Sequence, residues 1–233
     1  MTAMTLEFFE RTFPSSGTLD VQIRALLTGA MRAPSTHNSQ PWRFRIAENT
    51  VEVFRDDRVK LPNSDKDTQY AHVSIGFLLH HLYVLANYMG MQPRVVVTGG
   101  TSLATGKLAA SGGPDMNFGP LAKAIFDRRN RRGVFSSARL PEALMIQLKA
   151  GSTMPEGLPS ITPEIITDRE KGARIGELTL ETMTRVYESP AFRAEMSRWI
   201  VPTGSARKDG IPGYSLNQPR IISWILPHLI RAF

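Results

Sequence analysis

Ala33-Pro34-Ser35-Thr36-His37-Asn38-Ser39-Gln40-Pro41-Trp42-Arg43-Phe44 is a run of small hydroxyl, amide and imide residues between a helical pattern and an alternating one. Pro34 and Pro41 fix their own φ and push the residue before each out of the helical region. Ser35, Thr36, Asn38 and Gln40 can all donate and accept hydrogen bonds, and none is charged. Groups of this kind suit a flat ligand with a polar edge, such as a heterocycle, better than a bare ion. They equally suit a capped turn that feeds a hairpin, and the chemistry of the loop leaves both readings open.

On the N-terminal side of the loop, residues 18 to 33 read as a helix, with Leu19, Ile23, Leu26, Leu27 and Ala30 at helical spacing and Thr18 as its N-cap. On the other side, Trp42 to Ile46 and Val51 to Phe54 flank Glu48-Asn49-Thr50 and predict a β-hairpin. A polar segment, Asp56 to Asp67, leads into a long helix from Gln69 to Met89. Val73, Phe77, Leu78, Leu82, Leu85, Ala86 and Met89 make that helix apolar around most of its circumference, which predicts burial, with Gly76 permitting close helix packing. Strands follow near Arg94 to Thr98 and Leu103 to Ala109, and Gly112 to Asn117 form a break.

The second part of the chain echoes the first. Adding 121 to the numbering carries Ser15-Ser16 onto Ser136-Ser137, Leu19 onto Leu140, Ile23 onto Leu144 and Leu27 onto Leu148. The same shift carries Pro34 onto Pro155 and Phe44 onto Ile165. An internal duplication follows, with residues 1–117 as a first half and 118–233 as a second, diverged half. The two differ in chemistry: the first keeps PSTHNSQ, where the second reads PEGLPSI and has neither Asn nor Gln. Conversely, the second half carries Arg128-Arg129-Asn130-Arg131-Arg132-Gly133-Val134-Phe135 after a helix near Leu121 to Asp127, and the first offers only Arg11 before Phe13. Guanidinium forks suit phosphate. A basic helix end that favours the helix dipole is the structural alternative.

The segment APSTHNSQPWRF resembles the APSxxNxQPWxF signature of the nitroreductase superfamily of FMN-dependent oxidoreductases. Arg128, Arg129 and Arg132 match the arginines of that family's Arg-Arg-Ser-x-Arg phosphate motif; Asn130 stands in place of the serine, and the aromatic lies one residue further on. The run is closer to the Arg-x-Thr-Asn-Arg-Arg-x-Phe form of the two-half, Acg-like branch, and Lys208-Asp209-Gly210-Ile211-Pro212-Gly213 resembles an Asp-Gly-Ile-Pro element of the same branch. The resemblance extends patchily over residues 18 to 215. It implies an α+β fold, a nitroreductase-like α/β sandwich around a buried central helix, built from two half-repeats with the second shortened at its C-terminus. It also implies a composite FMN site, in which Pro34, Ser35, Thr36, Asn38 and Gln40 of the first half meet Arg128, Arg129 and Arg132 of the second. The implied chemistry passes hydride from NADH or NADPH through FMN to a nitroaromatic, quinone or similar acceptor, and requires no side chain as general acid or base.

Composition bounds the alternatives. The chain has 233 residues, 42% of them hydrophobic and 21% charged, as expected of an ordinary globular protein. No apolar run reaches the roughly 20 residues of a membrane span. MTAMTLEFFERTF carries acids and lacks a basic n-region followed by an apolar stretch, so no signal peptide is expected. With no cysteine there is no disulfide and no thiolate site, which fits a cytoplasmic location. The formal charge of +7 suggests an anionic partner. Zinc-finger spacing, RNP-type aromatics and a long basic tail are absent, which favours a phosphorylated cofactor over nucleic acid. His72, His80 and His81 lack carboxylates at metal-ligand spacing and read as structural, whereas His37 could face a ligand. The apolar tract Ile221 to Ile230, broken by Pro227, predicts a homodimer or other oligomer. A catalytically silent flavin-binding or flavin-sequestering protein is the competing function.

Overall fold

The computed structural model describes residues 4–99, 103–110, 113–130, 136, 138–150 and 164–232. The chain combines helices with an antiparallel sheet and is α+β. It divides into two units, one of residues 1–131 with 191–233 and one of residues 132–190.

The larger unit begins with α1 (Leu6–Thr12) and α2 (Leu19–Ala30). The Thr5 hydroxyl caps α1 by accepting the Phe8 N–H at 3.2 Å. Thr18 occupies the N-cap position of α2 without a side-chain cap bond, so its contribution there is its extended backbone. After the polar loop come β1 (Trp42–Ala47) and β2 (Thr50–Arg55), paired antiparallel with Trp42 opposite Arg55 and Ala47 opposite Thr50. The predicted hairpin is therefore present, and Glu48 takes the left-handed turn position at φ 53°. β3 (Met91–Val97) and β4 (Ala104–Ala110) complete a sheet of order β1-β2-β4-β3. Val51 and Val53 of β2 and Ala104 and Leu108 of β4 alternate inward and are buried, so one face of the sheet packs on the core. Pro93 lies in β3, an edge strand, where a missing ladder donor is tolerated.

α3 (Gln69–Tyr88) is the central helix and buries Ile75, Leu78, Leu82, Val84 and Leu85 against α2 and the sheet. Its expected burial all round is corrected by the structure: Val73 is 54% exposed and Phe77 47% exposed, and Tyr70 and Tyr83 are exposed too. Apolar spacing covers both faces of this helix, whereas the unit supplies a surface for only one. Gly76 is also corrected, because a Cβ there would meet nothing within 4 Å. The close approach occurs instead at Gly29 of α2, where a Cβ would lie 2.7 Å from Leu85 Cδ1 and 3.1 Å from Phe9 Cε2. α4 (Gly119–Asp127) then brings Phe126 onto Phe9, with ring centroids 5.2 Å apart.

The same unit resumes with most of α7 (Pro190–Trp199), whose first residue belongs to the smaller unit, and a two-residue parallel pair follows. In that pair, β5 (Ile200–Val201) lies beside β6 (Ile211–Pro212). The last helix, α8 (Arg220–Ala232), buries Ser223, whose hydroxyl accepts the Thr203 N–H at 3.0 Å, and leaves Ile221, Trp224, Ile225 and Leu229 exposed. The smaller unit contains α5 (Glu142–Ala150) and α6 (Arg169–Glu188). Asp168 caps α6 by accepting the Lys171 N–H at 2.8 Å, and no residue of that helix is buried. Ile165, the shifted counterpart of Phe44, lies in no strand. No helix among the described residues is long and apolar enough to cross a membrane.

Candidate functional site

The polar loop folds as a single 3-10 turn, Thr36–Asn38, in an unusual backbone state. His37, Asn38 and Gln40 all have positive φ, at 54°, 54° and 51°. Non-glycine residues pay a steric cost in that region, and such a conformation persists only where surrounding contacts over-determine it. Those contacts are local and distant. The Ser35 hydroxyl accepts the Gln40 N–H at 3.0 Å, and the Asn38 and Ser39 N–H groups close the turn onto the Ser35 and Thr36 carbonyls at 2.9 Å. Gln40, the residue before Pro41, avoids the right-handed helical region as expected but takes the left-handed one rather than an extended one.

The distant contacts come from the Lys208–Gly213 element. Asn38 Nδ2 donates to the Gly210 carbonyl at 3.0 Å and to the Lys208 carbonyl at 3.3 Å, while the Gly210 N–H donates back to the Asn38 carbonyl at 3.2 Å. Gln40 Nε2 donates to the Lys208 carbonyl at 3.0 Å. Gly210 has φ 86°, and a Cβ there would come within 2.4 Å of Val201 Cγ2, so only glycine fits this approach. Two amides that could serve a ligand thus bind the chain's own carbonyls. His37 faces a third segment, with Nε2 2.9 Å from the Ser64 hydroxyl.

Ser64 is itself fixed by a residue that the sequence patterns do not single out. Glu195 of α7 is buried, and its carboxylate accepts the Asn63 N–H at 2.9 Å, Asn63 Nδ2 at 3.0 Å and the Ser64 N–H at 3.0 Å. Burial pushes this carboxyl up, but the hydrogen bonds from Ser64 and Asn63 together outweigh it and hold it below the usual carboxylate range. Beside the loop, a cleft of about 470 Å³ is lined by Thr36, Ser39, Arg55, Lys60, Asp65 and Lys66, among others. The Ser39 hydroxyl is buried without a partner among the described residues.

At the other end of the loop stand the arginines. Arg128 Nη2 donates to the Arg32 carbonyl at 3.1 Å, directly before Ala33-Pro34, and its Nη1 donates to Asn130 Oδ1 at 3.1 Å. Arg129 Nη1 donates to the Phe126 carbonyl at 2.9 Å, and Arg32 Nη2 donates to that same oxygen at 3.1 Å. Arg32 also lies over the Phe126 ring, 5.4 Å from its centroid. No carboxylate pairs with any of the three among the described residues. Burial and the neighbouring Arg129 and Arg128 charges lower the Arg32 guanidinium, and burial followed by Arg129 lowers that of Arg128. Both remain charged, so the repulsion persists. His81 of α3 lies near them: burial first, then His80, Arg128 and, least, Arg32 depress its imidazole to about 4, against an opposing bond to the Ala30 carbonyl.

The expected site residues are thus distributed in three ways. Arg128 reaches the Arg32 carbonyl at the foot of the loop that carries Pro34, Ser35 and Thr36, Arg129 stays on the Phe126 and Arg128 carbonyls of its own segment, and Asn38 and Gln40 lie under Lys208 and Gly210. Among the described residues no hydrogen bond joins either arginine to Ser35, Thr36, Asn38 or Gln40. Arg132 lies outside the described residues. Arg32, His81 and Glu195 are the additions that only the folded chain reveals. Among the described residues no cluster of His, Asp and Glu could hold a metal ion.

The chain has distant relatives among known proteins. No family model matches it. A provisionally named NAD(P)H nitroreductase of Mycobacterium tuberculosis is 39% identical over 83 residues, 36% of this chain and 23% of that protein. A second from the same organism, provisionally named NAD(P)H nitroreductase Acg, is 28% identical over 214 residues, 85% of this chain and 59% of that protein. A third, whose name assigns no activity, is 25% identical over 192 residues, 74% of this chain and 51% of that protein. The chain therefore spans less than two thirds of the curated relatives it matches. The names of the first two support a distant relationship to nitroreductase-type oxidoreductases.

Proposed function

We propose that this chain is an FMN-dependent oxidoreductase of nitroreductase type, which carries hydride from NAD(P)H to a nitroaromatic, quinone or similar acceptor. The observation that carries the reading is the Arg128–Arg129 pair, which no carboxylate among the described residues neutralises, with Arg128 bonded to the Arg32 carbonyl at the foot of the Pro34-Ser35-Thr36 loop. Guanidinium groups would hold the phosphate of FMN, and the loop hydroxyls would meet a polar ring edge. Bound FMN would supply the two-electron redox chemistry. The chain's own share is to bind and orient: the turn at Thr36–Asn38 sets the backbone that carries the hydroxyls, and the Arg128 bond to the Arg32 carbonyl ties the arginine that would hold the phosphate to the foot of the loop. The two-half organisation, a role for Arg132 and assembly into a homodimer or other oligomer belong to the same proposal.

A second reading rests on one specific contact. Asn38 and Gln40 donate to Lys208 and Gly210 carbonyls, so two of the proposed flavin contacts are already engaged. That favours a silent flavin-binding protein in which this segment restricts the site. Purified chain mixed with FMN, NAD(P)H and a quinone separates the two. Flavin retention with acceptor-dependent NAD(P)H oxidation supports the enzyme; retention without turnover supports the silent binder; no retention removes both.

A further inference from the structure

We infer that Arg32, which lies outside the arginine run, binds the same anion as Arg128 and Arg129, and that this anion is a phosphomonoester dianion. The inference rests on the flavin reading only for the molecule that carries the phosphate.

Convergence is the first ground. Arg32 and Arg129 donate to one oxygen, the Phe126 carbonyl, at 3.1 and 2.9 Å, while Arg128 donates to the Arg32 carbonyl at 3.1 Å. Arg32 is thereby held beside the adjacent pair Arg128 and Arg129 through contacts that span 94 and 96 residues. No carboxylate among the described residues pairs with any of the three.

An orphaned donor is the second ground. Arg32 Nε is buried with no hydrogen-bond partner among the described residues. A buried polar atom without a partner costs free energy that a bound group would recover. Capping the end of α4 accounts for the bonds to the Phe126 carbonyl, since cations favour a helix C-terminus. It does not account for three mutually repelling guanidinium groups or for the orphaned Nε. A carboxylate would be satisfied by one guanidinium fork. A phosphomonoester presents three oxygens and up to two charges, which matches three forks.

Two sources share this chemistry, the 5′-phosphate of FMN and the 2′-phosphate of NADPH, and the test separates them. Affinities for FMN and riboflavin, and KM for NADPH and NADH, are measured on the wild-type chain, Arg32→Ala and Arg32→Lys, with circular dichroism as a folding control. Arg32→Ala should weaken FMN by about tenfold to a hundredfold while leaving riboflavin unchanged, as expected for loss of a charge-assisted bond. Arg32→Lys, which keeps the charge but not the fork, should fall between. The same selective loss for NADPH over NADH, with flavins unaffected, would assign the anion to the nucleotide. Equal loss for phosphorylated and unphosphorylated partners, or no loss for any, overturns the inference. If the wild-type chain binds no flavin, the flavin reading falls and inorganic phosphate decides the anion site. Phosphate that raises the melting temperature of the wild type but not of Arg32→Ala sustains the site; no effect on the wild type removes it.

Discussion

α2 and α5 carry the same apolar spacing and meet opposite fates. Shifted by the same interval, Ile23 and Leu27 of α2 correspond to Leu144 and Leu148 of α5. In α2 they are 0% and 5% exposed, packed under α3, whereas in α5 they are 39% and 45% exposed. Both segments are helical, but burial depends on whether another element offers a matching surface. The sequences that follow differ in chemistry too: α2 runs into PSTHNSQ, whose left-handed turn is held by contacts from two other segments, at Ser64 and at Lys208 and Gly210.

The sharpest way to break this contrast is to truncate matched positions. Ile23→Ala should cost about 2–5 kcal/mol in equilibrium denaturation, whereas Leu144→Ala should stay within about 0.5 kcal/mol. Equal losses would mean that α5 is covered as well as α2.

A second test uses acid. His81 has its folded value depressed to about 4 from an ordinary 6.5, so its neutral form favours the fold. That stabilisation is complete above the unfolded value and is lost as pH falls from 6.5 through 4, reaching on the order of 3 kcal/mol. The groups that act on it are His80 on its own helix, Arg128 and Arg32 across from it, and the Ala30 carbonyl. Denaturation of wild type and His81→Phe across that range should show the loss in wild type only; parallel curves would contradict the assignment.

Smaller effects probe what holds the loop. Glu195→Ala removes the buried carboxylate that the Asn63 and Ser64 donors share and should cost about 1–3 kcal/mol in a melt or denaturant titration. Asn38→Gly relieves the left-handed backbone while deleting the bonds to Lys208 and Gly210. A net loss of about 1 kcal/mol or less is expected by denaturation, together with faster amide exchange at Gly210. Unchanged exchange would show that Asn38 does not hold the element down.

What the sequence made legible was local. The hairpin emerged from alternation around Glu48-Asn49-Thr50, and α3 runs from Gln69 to Tyr88 where spacing predicts Gln69 to Met89. Patterning within a window could not say that one face of α3 lies open, nor that Gly29 rather than Gly76 is the point of close approach. The site was half legible for the same reason. The polar loop and Arg128-Arg129 are contiguous motifs, but Arg32 is an isolated arginine that becomes part of a cluster only through contacts 94 to 96 residues away. The engagement of Asn38 and Gln40 by Lys208 and Gly210 spans 168 to 172 residues, and no local pattern encodes it.

The central claim is that the loop and the arginines at its foot form a flavin site. It is tested most directly by the visible absorption spectrum of the purified chain after incubation with FMN and removal of free ligand by gel filtration. A retained flavin band at about one FMN per site, lost in Arg128→Ala and not reproduced with riboflavin, is the predicted result. A colourless chain, or equal retention of riboflavin and FMN, would contradict it.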